Sequence, residues 1–302
     1  MSRLITVGGK QVRVKGKFLR MARLEADKYH FLENPEGFLA ELRGCSTRVD
    51  LFSFVERLPH TTKRFAYPME WDNFAGLPVT TFDNWWKEQI GFKARNKAKQ
   101  AQKKGVVIRE VPFDRDLVQG IWEVYNESPI RQGRRFPHYG KDLETVYRDE
   151  ATFLDTSVFI GAFSGERLIG FIKLVYDETR TQAGLMNICS LIGERDKAPT
   201  NALVVEAVRA CANRGISYLV YSNFAYGTKQ RSTLSDFKER NGFQRMDVPR
   251  YYVPLTPVGT AALRLGLHHR LSNRLPESVA SKLREIREGW YHRKFPSVKE
   301  AL

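Results

Sequence analysis

The stretch from Ala183 to Phe243 constrains this chain more than any other. It opens on an apolar run, Gly184-Leu-Met-Asn-Ile-Cys-Ser-Leu191, of strand length. A polar loop follows, Gly193-Glu-Arg-Asp-Lys-Ala-Pro199. Leu203, Val204, Ala207, Val208 and Cys211 then fall at helical spacing on one face. Asn213-Arg-Gly215 stops that helix, with Gly215 suited to a left-handed C-terminal position. Ile216 to Tyr221 is rich in β-branched and aromatic residues and reads as a second strand. A short helix over Leu234–Arg240 runs into Gly242-Phe243. Strand, crossover helix, strand is a right-handed βαβ unit, and such a unit places ligands at the carboxyl ends of its strands.

The 302 residues suffice for a large core in one domain or two. No apolar run approaches the ~20 residues that cross a bilayer, so no membrane span is expected. The start, Met1-Ser-Arg-Leu-Ile-Thr-Val-Gly-Gly, has no long apolar core behind its charge, and neither a secretory leader nor a compartment other than the cytoplasm is expected. Cys45, Cys189 and Cys211 lie far apart and read as small core residues, with no disulfide framework and no metal site. The net charge of +15, from 49 Lys and Arg against 34 Asp and Glu, points to an anionic partner such as nucleic acid, nucleotide phosphate or CoA, or to solubility alone.

Taken in order, Leu4–Val7 and Val12–Val14 flank Gly8-Gly9, a hairpin signal. Phe18–Leu24 and Asp50–Val55 read as strands, with a helix over Pro35–Leu42 between them. Arg64–Tyr67 and Pro78–Thr81 are weaker strand candidates joined by an aromatic connection holding Trp71 and Phe74. A helix capped by Thr81 or Asp83 starts at Phe82 and turns strongly basic (Lys93, Arg95, Lys97, Lys99, Lys103, Lys104), a solvated face, a phosphate contact or a nucleic-acid surface. A strand over Val106–Val111 and an amphipathic helix over Asp114–Asn126 follow. The loop from Glu127 to Lys141 is dense in Arg, His, Tyr and Gly, and leads to a helix over Leu143–Asp149. Val158–Phe163 and Leu168–Val175 form a hairpin that the Gly184 strand extends into a meander. Gln244–Pro254 is a last strand. Beyond Pro257 the pattern is helical, with nine Lys or Arg (264, 270, 274, 282, 284, 287, 293, 294, 299) against four Glu (277, 285, 288, 300).

The element order over Val106–Val253 resembles the GCN5-related N-acyltransferase (GNAT) fold, whose usual ending is a Gly-Phe pair before the final strand. Arg95-Asn-Lys-Ala-Lys-Gln-Ala-Gln-Lys-Lys-Gly-Val106 looks like the basic "R…KA.K.GV" helix of the FemAB-like branch. Leu234-Ser-Asp-Phe-Lys-Glu-Arg-Asn-Gly-Phe243 looks like its "L..FK…GF" segment. The resemblance implies an α/β (α+β) chain with a GNAT-like mixed sheet and flanking helices. It divides the chain into an N-terminal region at 1–81, possessing a reduced acyltransferase-like half, a basic connecting helix at 82–105, the acyltransferase domain at 106–256 and a basic helical tail at 257–302.

That resemblance further implies an acyl donor, acetyl-CoA or another acyl-CoA or an aminoacyl-tRNA, and a small-molecule or peptide amine as acceptor, with no metal. Backbone N–H groups at a helix N-terminus suit phosphate, which selects Thr200, Asn201 and Ala202, with charge from Arg195 and Lys197. Arg195-Asp-Lys-Ala-Pro-Thr-Asn-Ala202 lacks the two glycines of the usual CoA loop. Asn187, Ile188 and Ser190 lie where the splayed strand supplies oxyanion donors. Many acetyltransferases of this fold carry Tyr five residues before the final Phe. Here Lys238 stands there and is implied to face the site as a cation, with Tyr221 and Tyr226 as substitute proton donors. Glu127 is the nearest base, and Arg131, Arg134, Arg135, His138 and Tyr139 are the acceptor-binding set, because arginine forks suit carboxylate or phosphate. The alternative is a catalytically inactive GNAT-fold protein that binds nucleic acid through its basic helices.

Overall fold

The computed structural model describes residues 2–225, 232–269 and 277–294. The N-terminal hairpin is β1 (Ser2–Val7) and β2 (Lys10–Lys15), closed by Gly8 and Gly9, both at positive φ. Then come β3 (Met21–Leu24), α1 (Pro35–Gly44), β4 (Leu51–Val55) and β5 (Met69–Pro78). A short α2 (Phe82–Asn84), capped by the Thr81 side chain, continues as a π-helical turn to Gln89. After a break at Ile90-Gly91, α3 (Phe92–Lys103) begins. β6 (Val106–Val111), α4 (Arg115–Asn126), a two-residue hairpin of β7 (Ile130–Arg131) and β8 (Arg134–Arg135), and α5 (Leu143–Glu150) follow. The meander is β9 (Ser157–Ser164), β10 (Arg167–Tyr176) and β11 (Gln182–Ser190). Next are α6 (Pro199–Asn213), β12 (Tyr218–Asn223), α7 (Thr233–Arg240), β13 (Gln244–Pro254), α8 (Pro257–Arg264) and α9 (Glu277–Lys294).

Eleven strands form one sheet in the order β1-β2-β3-β4-β13-β5-β12-β11-β10-β9-β6. Two of its junctions are parallel, β3 with β4 and β11 with β12, and a helix crosses over at each. The strand that follows each parallel junction in sequence pairs across the middle of the sheet. β5 pairs with β12, and β13 pairs with β4 and with β5. The mixed α/β architecture expected from the sequence is therefore present, with strands from both ends of the chain sharing its centre.

Three local expectations are corrected. Arg64–Tyr67 is not a strand, and of Pro78–Thr81 only Pro78 belongs to one; the segment read as a connection between them forms, with Pro78, the ten-residue β5 (Met69–Pro78). Its polar residues suggested a loop because their partners are distant in sequence. The Asp72 carboxylate accepts from Arg250 Nη2 at 2.9 Å and from Asn223 Nδ2 at 2.6 Å, and Asn73 Oδ1 accepts from the Ala225 amide at 2.7 Å. A Cβ at Gly76 would lie 2.5 Å from Met246 Sδ and 2.9 Å from Leu58 Cδ1, so a larger residue would have to displace both side chains. The helix from Phe82 is broken rather than continuous, and the second βαβ strand runs two residues later than the apolar pattern suggested.

Apolar burial divides into a large cluster under β6 and β9–β12, an aromatic-rich one around Phe38, Phe52, Phe54 and Tyr251, and a small one of Phe31, Val55, Leu58, Phe74, Val220 and Val248. On one side of the first, α6 packs on β9, β10 and β11 while α3 packs on α6; α4 also packs on β10 and β11.

Candidate active site

Parallel pairing of β11 with β12 lasts three residues, Gln182–Gly184 against Tyr218–Val220. Beyond it the strands part. Ser222 takes a left-handed φ of 52°, and the pairing of β12 with β5 slips between Val220 and Asn223. Backbone groups that a ladder would satisfy are thereby turned to face a wedge.

A cavity of about 1010 Å3 fills that wedge. Its floor is Ile188, Cys189 and Ser190 of β11 with Tyr221 of β12. Ala198, Pro199, Thr200 and Asn201 bring in the start of α6, while Thr233, Leu234, Phe237, Arg240 and Asn241 form the α7 side. Lys93, Asn96, Lys97 and Gln100 of α3 and the hairpin segment Arg131–Pro137 complete the wall. Seven cations line it: Lys93, Lys97, Arg131, Arg134, Arg135, Arg195 and Arg240. Among the described residues no Asp or Glu does. No side chain caps α6, whose first turn holds no acid, and Ala198 before it is left-handed at φ 53°. An uncapped helix N-terminus under a ring of cations is a site for a polyanion. The Ser190 and Thr200 hydroxyls lie 2.8 Å apart and tie the end of β11 to that helix start.

Several residues chosen from the sequence thus meet in one place: Ile188, Ser190, Arg195, Thr200, Asn201, Tyr221, Arg131, Arg134 and Arg135. Others sit behind the wall. Ala202 is buried on the inward face of α6. Lys197 turns away to Glu194 and to Ser164 Oγ, at 2.8 and 2.9 Å. Glu127 accepts from the Ile192 and Gly193 amides at 2.5 and 2.8 Å and pairs with Arg131, so it clamps the turn after β11. Arg131 also donates to the Ser190 carbonyl at 2.7 Å. His138 stacks on Tyr125 at 4.3 Å, and burial lowers its pKa to about 4, so the ring is neutral. Tyr139 is half exposed, away from the lining. Asn187 donates both to Glu150 Oε1 at 2.8 Å and to Oε2 at 3.0 Å; Tyr125 donates to the same buried carboxyl, whose pKa burial raises. Tyr226 lies outside the described residues.

Lys238 is fully buried on α7, one turn from the lining residue Asn241. Its Nζ donates to the Asn223 carbonyl and stands 4.6 Å from the centre of the Tyr221 ring. Burial, with a smaller contribution from Lys28, lowers its pKa to about 7. Lys28 reaches the same turn, bonding Ser222 Oγ at 3.2 Å and Asn223 Oδ1.

No family model and no curated protein matches the chain. Solved structures do. The C-terminal domain (DUF2156) of a protein assigned as a lysylphosphatidylglycerol synthetase, from Agrobacterium fabrum, superposes with a TM-score of 0.57 at 13% identity, covering 87% of each chain. FemX gives 0.53 at 10% identity, over 82% of this chain and 87% of its own. L-PGS from Bacillus licheniformis gives 0.52 at 13%, over 87% of each. The fold is GNAT-like, of the FemAB type.

In GNAT terms the wedge is the gap between the parallel strands, and the sequence signals for it were the βαβ unit and the Gly-Phe ending. Sequence reasoning missed Phe136, Phe237, Arg240 and Asn241 as lining residues. Their signal was weak, because each becomes part of the wall only when α7 and the β7–β8 hairpin fold over the wedge.

Proposed function

We propose that the chain is an N-acyltransferase that passes an acyl group from a polyanionic carrier, an acyl-CoA or an aminoacyl-tRNA, to the amine of a small molecule or peptide. The observation that carries this reading is the wedge at β11/β12, roofed by the uncapped start of α6, whose charged lining residues, among those described, are all cations. Carrier phosphates belong against the Thr200–Asn201 end of α6 and Arg195. The carbonyl to be attacked belongs beside the freed backbone of Ile188–Ser190, where N–H groups answer a developing oxyanion. The neutral amine attacks that carbonyl, the bond to the carrier's sulfur or ribose oxygen breaks, and the leaving atom takes the proton the amine gives up.

Lys238, which holds its extra proton below a lowered pKa of about 7, supplies positive charge from beneath Tyr221. The basic helix α3 supports this reading over a nucleic-acid surface, because its Lys93, Asn96, Lys97 and Gln100 line the wall, and other residues at its face are held by the chain itself. Lys104 pairs with Asp196 at 2.7 Å, Gln100 donates to the Asp196 carbonyl at 2.6 Å, and Arg95 lies over Trp86.

Calorimetric titration with CoA and with tRNA, over a range of salt, tests the donor. One of the two should bind with log affinity falling linearly in log salt. Binding by neither sinks the assignment. With that donor, Lys238→Met should keep the fold and lose transfer by at least roughly a hundredfold. Retained tRNA binding with no transfer by wild type to any amine would favour the inactive nucleic-acid binder. The folded pKa of about 7 lies below the ordinary lysine value of 10.5, so the unfolded chain binds more protons between them. Stability should therefore rise with pH across that window in wild type, and rise less in Lys238→Met.

A further inference from the structure

We propose that Glu70, His268 and His269 form a binding site for one divalent transition-metal ion of the zinc class, outside the cavity and independent of the transferase reading. Glu70 lies on β5, paired in register with Arg250 of β13. The two histidines follow α8. Gly266, at φ 64°, reverses the chain there, and the Leu267 amide bonds back to the Ala262 carbonyl at 2.8 Å. That turn aims both imidazoles at one carboxylate oxygen. His268 Nε2 lies 2.9 Å and His269 Nε2 3.1 Å from Glu70 Oε1, and one ligand atom from each residue falls within 4.8 Å of the others.

Two imidazoles and one carboxylate are a zinc donor set that leaves a fourth position for water. With zinc–ligand bonds of roughly 2.0–2.2 Å, tetrahedral neighbours sit roughly 3.4 Å apart, so the two nitrogen–oxygen separations need open by only a few tenths of an ångström. The site is able to make that adjustment and to admit an ion. The Glu70 and His269 side chains are each 40% exposed, whereas His268 is 3% exposed and held against the Tyr252 ring at 4.6 Å. One ligand is thus fixed and two are free to adapt.

A purely hydrogen-bonded reading leaves a defect. Both ring nitrogens compete for a single oxygen, and His268 Nδ1 is buried with no hydrogen-bond partner. The Glu70 carboxylate can only accept, so in that arrangement the His268 proton sits on Nε2 and the buried Nδ1 is left without a donor; when Nε2 binds an ion, the ring proton moves to Nδ1. The ion would cross-link the central strand β5 to the root of the C-terminal segment, across 198 positions of sequence.

The test uses the full chain, stripped with chelator, then dialysed against zinc and analysed for metal, with thermal melts in zinc and in magnesium. The expected result is close to one zinc per chain and a melting point raised by zinc but not by magnesium. Glu70→Gln and His269→Gln change half-exposed side chains, so both should fold as wild type does and weaken zinc binding by at least roughly tenfold. A wild-type chain that keeps no zinc overturns the proposal. So do folded variants that hold zinc as tightly as wild type, since the ion would then sit elsewhere.

Discussion

The two strand–helix–strand units of this sheet, β3–α1–β4 and β11–α6–β12, share a topology and finish their helices in opposite ways. At α1 the Asn34 side chain accepts from the Gly37 amide at 3.0 Å, and Glu36 adds negative charge to the first turn. The positive end of that helix is answered from within the chain. At α6 no side chain does so, no acid stands nearby in the first turn, and cations face the space beyond it. β4 is buried along its whole length, whereas β11 changes from buried to half-buried after Leu185. Topology brings a helix end to a strand junction; the side chains at that end decide whether the junction is structure or site.

The sharpest way to break this comparison is to injure the closed unit. Phe54 of β4 packs against Phe52, Tyr251 and Phe65, with ring centres 5.1–6.1 Å apart. Phe54→Ala should lower unfolding free energy by roughly 3–5 kcal/mol in urea titrations. It should leave donor affinity unchanged under conditions where the variant is folded; a parallel loss of binding would mean the closed unit also shapes the cavity. Next in size is Thr200→Asp, which writes the α1 solution into α6. A carboxylate there suits the helix end but repels a polyanion. Donor affinity measured by titration should fall by about tenfold while the melting point holds or rises. The smallest effect is Asn34→Ala, which removes the α1 cap. It should lower stability by about 1 kcal/mol and leave the donor titration untouched.

The open unit was legible in the sequence because its elements are continuous apolar runs with clear stops, such as Gly215 and Gly242. Its cation ring was legible only in part. Arg131, Arg134, Arg135 and Arg195 were drawn from their loops, while Lys93 and Lys97 belonged to a basic run whose target the sequence did not name. β5 was not legible at all, because Asp72, Asn73 and Gly76 carry turn chemistry and only Arg250, Asn223, Ala225 and Met246 explain them. Lys238 was selected by resemblance, yet its burial beneath Tyr221 follows from how α7 meets the end of β12. The pairing of Glu70 with His268 and His269 left no periodic trace, because it joins two segments that meet only through the final turn after α8.

The placement of β13 between β4 and β5 has a consequence for how such a chain is made. Everything up to residue 78 leaves the ribosome with a vacant slot between two of its strands. That slot is filled only by Gln244–Pro254, a segment synthesised long after Met69–Pro78. Until Gln244–Pro254 emerges, β4 and β5 each present a bare ladder, the kind of surface that recruits stray strands from other molecules. The nascent protein must therefore be sheltered, or extended quickly, for β4, β13 and β5 to lock.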